Sequence, residues 1–178
     1  LPACRVMERF TITDKLPELK GRVAVFIGAH RPFSPEETEA LDRFCSSNNA
    51  VVFCDHTSCY KGKYRLLYSL AASQDQMNLD SDKPDVTIHV GEVTGDYAGM
   101  GMVGKEVWRV SEDGELRDTF RKLRYVFEMD ETTFFERYTD TSKAPADHYL
   151  NQCRARLKEV RQEIPELPFS NIWVAQRT

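Results

Sequence analysis

Three groups of residues in this sequence have types and spacings that could do chemistry. Gly99, Gly101 and Gly104 match the GxGxxG spacing of dinucleotide loops, in which bare backbone approaches a pyrophosphate at a helix N-terminus. The setting is missing, because the segment trails the apolar run before it and leads into EVWRVS, a strand pattern that offers no helix N-terminus. A flexible, Met-bearing loop is the expectation. Cys54, Asp55, His56 and Cys59 form the second group, at the end of an apolar run, where open α/β sheets hold their ligands. They lack a second ligand pair at zinc spacing, and catalytic Cys and His usually meet through the fold rather than as sequence neighbours. A strand-end loop with a buried Cys54 is therefore expected.

The third group lies in two further strand-end loops. His30-Arg31 could present a cation to an anionic ligand, and residues 91–97 offer two glycines, a hydroxyl and an aromatic ring at the same edge. The candidate ligand contacts are Arg31, Thr94, Gly95 and Tyr97. His89 interrupts an apolar run and reads as a satisfied core histidine. Phe134, Phe135 and Trp173 read as core or interface residues, since no basic stripe accompanies them. No GxSxG, HExxH, P-loop or paired-cysteine motif occurs. Residue chemistry alone thus assigns no catalytic, cofactor-binding or metal-binding residue.

Strands and helices alternate around these loops. RVAVFI, AVVFCD and VTIHVG are continuous apolar runs that suit strands buried on both faces, and shorter strands are expected at residues 106–111 and 124–128. Ser34-Pro35-Glu36-Glu37 is a capping box, and Ala40, Leu41, Phe44 and Cys45 follow at helical spacing until Asn48-Asn49. Further helices are expected to carry Leu66, Leu67 and Leu70, then Phe134, Phe135 and Tyr138 behind an Asp130 cap. The last carries Leu150, Cys153, Leu157, Val160 and Ile164. This alternation predicts an α/β domain: three layers, Rossmann-like, with a mainly parallel sheet and right-handed crossovers.

Length and charge agree with one domain. The 178 residues carry 24 basic and 28 acidic side chains without a basic run, which disfavours a nucleic-acid partner. No apolar stretch approaches the roughly 20 residues that span a bilayer, and no signal peptide is visible, so a cytoplasmic location is expected. The five cysteines lack a disulfide framework and are expected to be reduced. Residues 1–20 show little periodicity and read as a connector from a preceding domain, 21–165 as the Rossmann-like domain, and 166–178 as the start of a following connection. The initial Leu and the late Ile172-Trp173-Val174 helix start predict that the chain is a piece of something longer.

Taken in order, Leu16-Pro17-Glu18-Leu19, the run from Gly21 to Gly28, Asp85 to Gly91 with Thr94-Gly95, and the ending Leu167-Pro168-Phe169-Ser170-Asn171 carry a resemblance. The chain resembles the central domain of 2-succinyl-5-enolpyruvyl-6-hydroxy-3-cyclohexene-1-carboxylate synthase along nearly its whole length. That resemblance implies a thiamine-diphosphate transferase of menaquinone biosynthesis, which decarboxylates 2-oxoglutarate and adds the succinyl semialdehyde unit to isochorismate. It also implies a homodimer or homotetramer, with thiamine diphosphate and Mg2+ held by other domains of the parent chain. The family's GDG diphosphate signature is absent here, so the fragment alone is expected to be inactive. Relatives often continue Thr-Gly with basic residues that approach isochorismate, whereas Asp96 and Tyr97 follow here. Either another loop supplies the cation, with Arg31 a candidate, or the domain does not touch substrate. The alternatives are a stand-alone nucleotide- or small-ligand-binding domain, and an interaction module docking through Trp173 and a Met100/Met102 surface.

Overall fold

The computed structural model describes residues 6–74, 78–95, 97–165 and 168–175. Seven strands form one sheet: β1 (Glu8–Thr11), β2 (Val23–Ile27), β3 (Val51–Cys54), β4 (Arg65–Leu66), β5 (Val86–Val90), β6 (Glu106–Val110) and β7 (Leu123–Glu128). Their order is β1-β7-β6-β5-β2-β3-β4, and every neighbouring pair is parallel. The sheet is thus wholly parallel. Its central strands β2, β3 and β5 are buried at every position, which is why they read as unbroken apolar runs.

Helices cover both faces. Side chains alternate along a strand, so Trp108 and Phe127 look one way while Phe26, His89 and Arg109 look the other. On the first face α1 (Pro35–Asn48) and α4 (Glu131–Arg137) pack through Phe44, Phe134 and Phe135, with Phe134 against Phe127. On the second, Phe53 packs against Tyr68, which precedes α2 (Ser69–Ala72), and Tyr149 of α5 (His148–Glu163). Two further short helices are α3 (Tyr97–Met100) and α6 (Asn171–Ala175).

Helix α1 starts as its sequence requires. Ser34 Oγ accepts from Glu37 N, while Ser34 N donates to Glu37 Oε2 at 2.7 Å. It stops at Asn49, whose left-handed backbone (φ 49°) lets its N–H donate to Cys45 O. Asp130 caps α4 by accepting from Thr133 N at 2.8 Å.

Two expectations are corrected. Residues 8–11, read as connector, form edge strand β1, held by Phe10 stacking on Phe127 and by Arg124 bridging to Glu8. Leu66, Leu67 and Leu70 do not share a helix. Leu66 is buried in the two-residue strand β4, Leu67 is exposed, and the helix begins only at Ser69. The leucine spacing suited a helix, but Arg65 pairs with Val52 and binds that segment to the sheet edge.

Candidate functional site

Strand order reverses between β2 and β5, since the chain runs outward from β2 through β3 and β4 and then restarts on the other side. The crevice outside the carboxyl ends of β2 and β5 is where such sheets usually admit ligands. Here backbone fills it. Ala29 N donates to Glu92 O at 3.1 Å, Glu92 N returns a bond to Ala29 O at 2.9 Å, and Gly28 N donates to Val90 O at 3.0 Å. A Cβ on Gly28 would sit 1.6 Å from Glu92 O, and Gly91 turns with φ 76°. Glycine serves at these positions to let two loops touch, leaving no gap for a pyrophosphate.

More bonds tie the same edge together. His30 N donates to Thr57 O at 3.1 Å, Arg117 pairs with Glu92 at 2.9 Å, and Thr94 Oγ1 donates to Asp55. The loops after β2, β3, β5 and β6 therefore form one cross-linked platform.

Beside the closed crevice lies a hollow of about 370 Å³, lined by His30, Arg31, Glu37, Glu112, Asp130 and Glu131, among others. His30 is nearly covered and stacks on Phe33 at 4.3 Å, with Nδ1 2.6 Å from Arg31 O and Nε2 3.1 Å from Glu131 Oε2. Burial opposes its imidazolium, but the hydrogen bond and charge of Glu131 more than offset that and raise its pKa. Arg31 forms a two-pronged pair with Glu37 at 2.8 and 2.5 Å. That pair, with the bond from Ser34 N, pulls the Glu37 carboxyl down to about 2. With Glu92 also in the wall, carboxylates outnumber cations, so the hollow repels a dicarboxylate. What His30 and Glu131 can do is hold a proton between β2 and α4.

Of the four candidate contacts, only Arg31 lines this hollow. Thr94 is buried on Asp55, Gly95 faces open space, and Tyr97 stands 83% exposed at the start of α3. Asp96 lies outside the described residues. The Cys54 group holds together as structure. Cys54 is buried, which raises its thiol pKa, while Thr57 donates to Asp55 at 2.7 and 2.6 Å. Among the described residues no three His, Cys, Asp or Glu side chains converge on a metal position. The four described cysteines are free thiols.

Only the start of the glycine motif departs from the expected loop, since residues 101–104 form the turn and loop that lead into β6. Gly99 lies inside α3, and Gly104 abuts Pro84 O at the opposite edge of the sheet, where an added Cβ would be 2.6 Å away. Met102 is buried, which removes it from any docking surface. His89 is buried as expected but is not satisfied, for its Nε2 has no partner. Sequence reading missed its neighbour Arg109, also buried, whose Nη2 pairs with Asp113 at 3.0 Å. The available signal was that VTIHV and EVWRV each break their apolar run at the fourth position.

No protein-family model matches the chain, and no curated protein matches it. The fold defines an α/β domain with a wholly parallel, Rossmann-like sheet. No helix among the described residues is long and apolar enough to cross a membrane.

Proposed function

We propose that this chain is the catalytically silent central domain of a cytoplasmic thiamine-diphosphate synthase that joins the succinyl semialdehyde unit of 2-oxoglutarate to isochorismate in menaquinone biosynthesis. The order of the motifs from Leu16 to Asn171 suggests the family. The observation that carries a silent role is the closed switch point, where Ala29 and Glu92 exchange backbone bonds in the space a nucleotide would need. The acidic hollow supports the branch in which this domain does not bind isochorismate, because Glu112 and Glu131 stand beside Arg31. By the same resemblance, thiamine diphosphate and Mg2+ belong to other domains of a dimeric or tetrameric parent.

The test is the mass and activity of the natural protein, captured from source cells with an antibody raised against this chain. A species of roughly three domains that forms the carboligation product from 2-oxoglutarate and isochorismate supports the proposal. A natural protein of about one domain, stabilised by an adenine or nicotinamide nucleotide, would replace it with the stand-alone ligand-binding alternative.

A further inference from the structure

Arg22, Asp85, Lys105 and Lys122 each stand immediately before a strand: β2, β5, β6 and β7 respectively. These strands are consecutive neighbours in the sheet, so the four residues form one row along its N-terminal edge, at steps of about 4.8 Å. The row floors a cleft of about 680 Å³, which Ser81, Lys83 and Val103 help to wall. Four cations face it against two carboxylates, Asp80 and Asp85, in a chain whose net charge is -4.

Both carboxylates are engaged. Asp85 accepts from Lys105 Nζ at 2.6 Å and from Arg22 N at 3.0 Å, and Asp80 accepts from Lys83 Nζ at 3.0 Å. Arg22 Nη1 donates to Ser81 O and lies over the Tyr149 ring, while Lys122 Nζ donates to Val103 O at 3.0 Å. Among the described residues neither of these two makes an ion pair. Two positive charges thus face the cleft without a direct ion pair, with the Asp85 carboxylate beside Arg22. Lys105 N donates to Asp85 O at 3.0 Å and ties the two walls together.

We propose that this cleft binds a small oxyanion bearing two or more negative charges, held between Arg22 and Lys122 with Lys83 and Lys105 at the rim. Four cations around one cleft suit a multiply charged oxyanion better than a single chloride. The site lies at the opposite edge from the platform, so it stands independently of the central-domain reading.

The experiment is an amide NMR titration of the chain with inorganic pyrophosphate and, separately, citrate, repeated with Lys122→Gln. Lys122 is exposed, so the variant should keep its amide dispersion. The proposal expects saturable shifts centred on residues 22, 81–85, 103–105 and 122, and affinity about tenfold weaker in Lys122→Gln. Saturation by pyrophosphate marks a phosphorylated ligand, and by citrate a polycarboxylate. Shifts that fail to saturate with both probes, that spread equally to Lys61 and Lys158, or that persist unchanged in Lys122→Gln overturn it.

Discussion

His89 and Arg109 occupy paired positions of β5 and β6, side by side on one face and each 2% exposed. Phe120, from the helix-free connection 111–122, caps His89 edge-on at 5.0 Å, and Phe26 flanks it. Arg109 has Asp113 as its counter-charge; His89 has aromatic rings and Arg109 beside it, and its Nε2 has no hydrogen-bond partner among the described residues.

Acid should therefore unlock this corner. Burial first, and the Arg109 charge second, depress the His89 pKa from 6.5 to about 4. The unfolded chain takes up this proton as pH falls through 6.5, whereas the folded chain refuses it until about 4. Stability from this residue is thus complete above 6.5 and declines across that window, by about 3 kcal/mol in all. His89→Leu should flatten that part of the urea-unfolding profile. An unchanged profile would show that other groups carry the acid sensitivity.

Closure of the switch point predicts a large effect from one methyl group. Gly28→Ala places Cβ inside Glu92 O and must break the Ala29 and Glu92 bonds, at a cost of about 3 kcal/mol or more. Gly95→Ala meets nothing within 4 Å and should stay within about 0.5 kcal/mol of the parent. Equal denaturation midpoints for the two variants would refute the close approach.

The sheet was legible because burial on both faces writes itself as continuous apolar runs, and α1 because Ser34 and Glu37 mark its start chemically. Strand β1 was not. Its ERFT sequence is half exposed, and its stability comes from Phe10 meeting Tyr125 and Phe127, a contact between residues more than a hundred positions apart. The site was harder still. Arg31 does follow the end of β2, but nothing in the spacing announces that Glu37 neutralises it or that Glu131 of α4 faces His30. Thr94 suited a ligand hydroxyl until folding brought Asp55 to it.

The His30 and Glu131 pair should titrate in the opposite sense to His89. Its raised pKa means that the bond strengthens the fold fully below 6.5 and is lost as pH rises through the folded value, with the Arg31 charge opposing the proton. Glu131→Gln should bring the His30 ring titration back toward 6.5 or below, since burial then acts with little to offset it. Following the ring protons by NMR decides the matter, and an unmoved midpoint would remove Glu131 as the cause.

Asp82 provides the sharpest test of the second face. Its carboxylate is 1% exposed and accepts from Tyr68 Oη at 3.0 Å and Gln152 Nε2 at 2.7 Å, with Arg156 Nε at 3.4 Å. Its backbone carbonyl receives the Tyr149 hydroxyl at 2.5 Å. One side chain thus fixes the 3-10 turn Asp80–Asp82 to α2 and α5, just behind the basic cleft. Asp82→Ala strands the buried Tyr68 hydroxyl and removes the carboxylate partner of Arg156, and should lower unfolding free energy by about 3 kcal/mol. Tyr68→Phe removes only one donor and should cost about 1 kcal/mol. Because the two residues share the bond, the double variant should lose less than the sum of the singles, by about 0.5 kcal/mol or more. Strict additivity in urea unfolding would mean that Tyr68 and Asp82 do not act through one another.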